Sequence, residues 1–176
     1  MKANDIVNAI RNKHGGKAAI VPELTIEDRY YYQSMIRRDP RFEDYANDSS
    51  IVDENYQVDE TYDLANGKYS RRIDLLMCEA QKWTAIEIKV SRSDFFRDTE
   101  EKRQTWKKHT HRFIYATPQG LVNIEEIPEG CGWWEITPTG MIIVSKRAKV
   151  NKDRTDFPDS FMRTVFWRLA TTSPLM

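Results

Sequence analysis

Arg71-Arg72-Ile73-Asp74-Leu75-Leu76, followed by Ile86-Glu87-Ile88-Lys89-Val90, decides how this chain folds. Apolar and polar residues alternate at period two in both pieces, which predicts two short strands. Ile73, Leu75 and Met77 share one face, so Asp74 points to the other. Ile86, Ile88 and Val90 share a face in the second strand, leaving Glu87 and Lys89 together opposite. Glu79-Ala80-Gln81-Lys82 between them suits a tight hairpin. Pairing the strands then gathers two carboxylates and an ammonium on one sheet face. On an exposed sheet such a set is an ordinary solvated surface with a weak ion pair.

In a cleft the same three groups suit metal-assisted phosphodiester hydrolysis. Magnesium prefers oxygen ligands and uses one or two carboxylates, completing its shell with waters and substrate phosphate. Bound there, it polarises a phosphoryl oxygen and acidifies a water. A neighbouring lysine orients the water or balances charge on the phosphate. The carbonyl of Ile88, between Glu87 and Lys89, is a candidate further ligand.

Outward from this core, the 176 residues fit one domain with a sizeable core, rich in Trp, Tyr and Phe. No apolar run approaches a membrane span and the first residues lack a signal-peptide pattern, so no membrane partner is expected. Cys78 and Cys131 are too few and too isolated for a disulfide framework or a zinc site, and a reducing cytoplasm fits. Net charge is zero but unevenly spread. Residues 39–63 hold nine acids against one base, whereas residues 64–118 hold twelve bases against seven acids. Lys146, Arg147, Lys149, Lys152 and Arg154 form a second basic cluster. Such segregation can focus a phosphate backbone at the candidate site, or can simply mark the solvated faces of separate elements.

The remaining pattern predicts a first helix capped by Asn4, with Ile6, Val7 and Ile10 on one face and an end before Gly15-Gly16. A strand over Ala18–Ile26 follows, with Pro22 marking an edge position or a bulge. A helix over Glu27–Arg38 and a strand over Tyr56–Asp63, turning at Asn66-Gly67, lead to the Asp74 strand. Beyond Lys89, Ser91 or Ser93 caps a helix running to about Lys108, with Phe95, Phe96 and Trp106 facing the core. Strands are expected at His111–Thr117, Trp133–Ile136 and Met141–Ser145. Pro158 then opens an amphipathic helix carrying Phe161, Val165 and Leu169. Together these give an α/β or α+β class, one mixed sheet flanked by helices.

The order of elements, with Asp74 on one strand and Glu87-Ile88-Lys89 on the next, resembles the PD-(D/E)XK nuclease fold, which is restriction-endonuclease-like and has an α-β-β-β-α-β core. Ile86-Glu87-Ile88-Lys89-Val90-Ser91-Arg92-Ser93-Asp94-Phe95 more narrowly resembles the signature of MmcB-like proteins, a DNA-repair-associated branch also common in phage genomes. Pro22-Glu23-Leu24, Arg72-Ile73-Asp74, the run from His111 to Leu121, and Glu126-Ile127-Pro128 through Gly132-Trp133 match it more loosely. The resemblance implies a magnesium- or manganese-dependent deoxyribonuclease. Asp74 and Glu87 would be metal ligands, Lys89 the catalytic lysine and Glu23 an extra acid, with Glu60 a rival for that place. Arg92 and Lys102 would contact nucleic acid. It also implies DNA as partner and, as in many nucleases of the fold, pairing into a homodimer. The expected organisation is a nuclease-like domain over residues 1–150, with an acidic insertion at about 28–66, and a helical extension over 151–176. From other classes, a non-cleaving DNA-binding module of the same fold and a partner-binding structural domain are the alternatives.

Overall fold

A computed structural model describes residues 1–27 and 70–172 of the chain. The helix expected over 27–38 lies outside the described residues except for its first residue, which belongs to a strand. The strand over 56–63 with Glu60, and the Asn66-Gly67 turn, lie outside them altogether. The chain divides into two compact units, Met1–Leu24 with Arg72–Met176 and Thr25–Arg71. The first holds the candidate site.

The elements run α1 (Ala3–His14), β1 (Ala18–Glu27), β2 (Ser70–Glu79), β3 (Lys82–Ile88), α2 (Arg92–Phe96), α3 (Glu100–His109), β4 (Arg112–Pro118), β5 (Gly132–Ile136), β6 (Ile142–Lys146) and α4 (Asp159–Thr172). A 3₁₀ turn over Ile124–Glu126 sits between β4 and β5. The six strands make one sheet in sequence order. Pairing is antiparallel for β2–β3, parallel for β3–β4 and β4–β5, and antiparallel again for β5–β6. The sheet is thus mixed, as expected for an α/β chain. β1, with Pro22 inside it, begins the strand order, where a missing ladder donor costs least.

The hairpin forms as the sequence predicts. Glu79 pairs with Lys82, leaving Ala80 and Gln81 as a two-residue loop with φ of 47° and 62°. Two left-handed residues give the turn whose twist matches its strands, usually a task for Asn-Gly. α1 is capped two residues before Asn4: Lys2 is its cap, and the Lys2 amide donates to Asp5 Oδ2 at 2.7 Å. The acidic residue inside the first turn satisfies the free amide from within, so Asn4 is not needed as cap. At the other end the Gly15 amide donates to the Arg11 carbonyl at 2.7 Å. A Cβ on Gly15 would stand 2.6 Å from that oxygen, which is why a glycine closes this helix.

Ile6, Ala9 and Ile10 of α1 pack on one sheet face against Leu75, Met77, Ile86, Ile88, Ile114 and Ala116. Each fully buried isoleucine or leucine there contributes about 1.5–3 kcal/mol. The period-two rule then sends Phe113 and Tyr115 to the opposite face, where α3 lies and Arg103 reaches the Tyr115 hydroxyl. Trp106 of α3 is fully buried and meets Phe157 and Phe161, whose rings stack 4.6 Å apart and anchor α4.

The single helix expected from Ser91 to Lys108 is two. Ser91 caps α2, its Oγ accepting from the Asp94 amide. Thr99 caps α3, its Oγ1 accepting from the Lys102 amide. Thr99 with Glu100 and Glu101 is a strong local start signal, and it overrides continuation of the first helix. One consequence corrects an expectation: Phe95 is buried, but Phe96 is 56% exposed, with the Arg92 guanidinium 5.0 Å from its ring centroid. The other consequence is that Asp98 lies in the break, with its carboxylate turned inward.

Candidate active site

Glu87 on β3 and Lys89 just past its end stand on the α3-facing side of the sheet, and both are buried. The solvated-face reading of these residues therefore fails: α2 and α3 cover them. Glu87 pairs across the parallel ladder with Tyr115. Asp74 is half-buried on β2. It lies one residue beyond the Leu75–Ile86 pair, and its Oδ2 accepts from the Ile88 amide at 2.8 Å. A side chain here occupies an amide that a continuing ladder would otherwise take up.

The three residues picked out by alternation thus converge, and the fold adds partners. Lys89 Nζ lies 3.1 Å from Glu87 Oε1, 3.4 Å from Asp98 Oδ1 and 3.7 Å from Asp94 Oδ1. Lys102, from the first turn of α3, also places its ammonium on Glu87 Oε1 and lies 3.6 Å from Asp98 Oδ1. Asp98 is held from its other side. Its Oδ2 accepts from the Tyr115 hydroxyl and from Arg103 Nη1 at 3.3 Å. Arg103 is anchored in turn by Glu100 at 2.6 Å.

The electrostatics follow from this crowding. Burial raises the Glu87 pKa, and the Asp74 charge raises it further; Lys102 and Lys89 pull the other way without cancelling the shift. For Lys89 burial disfavours the ammonium, but Glu87 and Asp98 outweigh it and the net shift is upward, so the ammonium persists. Tyr115 is pushed up by burial and by Asp98 and stays a neutral donor. The network holds its carboxylates between ammonium and guanidinium groups with little access for bulk water.

Two carboxylate oxygens break the pattern. Asp98 Oδ1 has no hydrogen-bond partner among the described residues but keeps its contacts with the two lysines. Glu87 Oε2 is buried and has no hydrogen-bond partner among the described residues. A buried, unpaired carboxylate oxygen is costly, and in a native site it calls for a ligand or a task. Beside the second carboxylate of Asp74, it fits a divalent cation of the hard, oxygen-seeking kind. The donor set is lean: among the described residues no three acidic, histidine or cysteine side chains form a cation-sized group. Two carboxylates are enough for magnesium, which keeps several waters.

Glu23 does not join them. It is exposed on β1 at φ 50°, a left-handed conformation at the middle of the strand. Arg92 is engaged elsewhere, in a two-pronged pair with Glu126 at 2.5 and 3.1 Å and a bond to the Leu121 carbonyl at 3.0 Å, tying α2 to the 3₁₀ turn. Asp98, Arg103 and Tyr115 escaped the sequence reading. Asp98 had a usable signal, since an acid immediately before a Thr-Glu-Glu helix start falls in a helix break. Tyr115 had none, because its place opposite Glu87 depends on a parallel pairing across 28 residues.

No family model and no curated protein matches the chain. A solved structure of a protein of unknown function from Silicibacter pomeroyi is similar to it, at 21% identity over 57% of this chain, with a TM-score of 0.43. The match spans 64% of that protein's length. Among the described residues no helix is long and apolar enough to cross a membrane.

Proposed function

We propose that this protein is a metal-dependent nuclease that hydrolyses DNA phosphodiester bonds, acting in DNA repair or phage DNA processing. The observation that carries the reading is the orphaned Glu87 Oε2 beside Asp74, with the buried Lys89, held among carboxylates, two residues away. A pure scaffold gains nothing from a carboxylate left unsatisfied in its interior.

Asp74 and Glu87 would hold magnesium or manganese, which when bound polarises the phosphoryl oxygen and acidifies a water. The protein's own groups do the rest. Lys89, fixed between Glu87 and Asp98, presents a proton donor at a constant position, where it orients the attacking water or meets charge on the phosphate. Asp98 is itself immobilised by Tyr115 and Arg103, so the lysine does not wander with the helix break. Lys102 stands at the outer side of the group and is the ammonium nearest an approaching backbone.

Asp74→Ala tests this directly. It should lower magnesium-dependent cleavage of DNA by at least about a thousandfold, as loss of a metal ligand or charge stabiliser does. Undiminished cleavage would sink the assignment. Salt-sensitive DNA binding by the wild type, with no cleavage of any DNA structure in magnesium or manganese, would favour the non-cutting module.

A further inference from the structure

Lys102 and Lys89 differ in a way their shared contact hides. Both ammonium groups sit on the same oxygen, Glu87 Oε1. Lys89 is 6% exposed and enclosed by three carboxylates, whereas Lys102 is 25% exposed and reaches in from the edge of the site. Among the described residues its only other ion pair is with Asp98, at 3.6 Å. Its neighbour Arg103 is pinned by Asp98, Glu100 and Tyr115, so the helix keeps its place when the Lys102 side chain swings out.

Resting on the metal-site reading above, we infer that Lys102 is a displaceable counter-ion. It closes Glu87 to divalent cations until a nucleic-acid phosphate draws its ammonium away. With both lysines in place, one carboxylate is shared by two positive charges, and a divalent cation arriving beside them is repelled. With Lys102 turned to a phosphate, Glu87 is left with Lys89 alone and becomes an attractive ligand. Metal and DNA then favour each other's binding, and the linkage is reciprocal. The protein is guarded against holding an active metal when no substrate is present.

The experiment is calorimetric titration of calcium ion into wild type, Lys102→Met and Lys102→Arg, with and without duplex DNA. Calcium is chosen to report binding without relying on turnover, at about pH 8, well above the ordinary carboxylate range. DNA should tighten calcium binding to wild type about tenfold, within the usual range of coupling between sites. Lys102→Met should bind calcium about tenfold tighter than wild type without DNA and gain nothing more from DNA. Lys102→Arg, which keeps the charge, should resemble wild type. Thermal melting checks that both variants fold, and Lys102→Gln replaces Lys102→Met if that variant does not. If wild type binds calcium and the neutral variant binds it no more tightly, the inference is overturned and the metal site stands. If Glu87→Ala binds calcium as wild type does, or no protein binds it even with DNA, the metal site falls and takes the inference with it.

Discussion

Two acidic residues in this molecule each meet a basic partner, and the comparison separates structure from chemistry. Glu126 accepts two bonds from Arg92 and a third from the Asn123 amide at 2.7 Å, and its pKa is lowered by those bonds. Glu87 meets two lysines on one oxygen and has no hydrogen-bond partner for the other among the described residues, and its pKa is raised by burial and Asp74. The first carboxylate is finished: two of its bonds fasten α2 to the 3₁₀ turn and the third caps that turn. The second is buried and incomplete. A protein keeps such a group at a cost to stability, and that cost is the reason to look for a reaction there.

The largest expected break in this comparison is Glu87→Gln, which should abolish metal binding and reduce cleavage by about a thousandfold or more. The melting temperature should hardly fall, because the amide removes a poorly solvated charge. A marked loss of stability would mean that Glu87 is a structural ion pair after all. Glu126→Gln should do the reverse, lowering the melting temperature slightly while leaving metal binding intact; changed metal affinity in that variant would tie the 3₁₀ turn to the site.

The two carboxylates should also pull the pH dependence of stability in opposite directions. Glu126 binds protons less readily when folded, so its contribution is present above the ordinary carboxylate pKa and is lost as pH falls through its lowered folded value. Glu87 binds protons more readily when folded, so metal-free protein loses stability as pH rises from the ordinary carboxylate value through the raised one. Melting curves across the acidic range should therefore steepen toward low pH in Glu87→Gln and flatten in Glu126→Gln. Identical curves in the two variants would remove the distinction. The smallest effect is expected at the other end of the hairpin. Gln81→Gly relieves a left-handed φ and should stabilise the fold by about 0.5–1 kcal/mol without touching metal binding or cleavage. A change in metal affinity there would show that strain at the turn is transmitted to Glu87.

The part of this site legible in the sequence is the part that local rules govern. Alternation put Asp74, Glu87 and Lys89 on one face, and a two-residue connection made β2 and β3 partners. Those inferences needed only neighbours along the chain. The run from Ser91 to Lys108 misled because its apolar spacing suits one helix, while Thr99 with Glu100 and Glu101 starts another. Phe96 followed that error, and so did the omission of Asp98. Tyr115 and Arg103 belong to a different category, since strand pairing and helix docking bring them together and no short pattern encodes either. The apolar run over Ala18–Ile26 located β1, but Glu23 within it is exposed. Strand identity fixes where a backbone runs, whereas a ligand must also face inward.

The bond from the Ile88 amide to Asp74 Oδ2 has a use of its own. Most amides in β3 are shielded by neighbouring backbone, so their isotope exchange with solvent reports only on opening of the sheet. Ile88 is shielded by a side chain that also bears the charge a cation would engage. Its exchange clock thus runs on the position of one carboxylate, and a single amide resonance becomes a gauge of where Asp74 points.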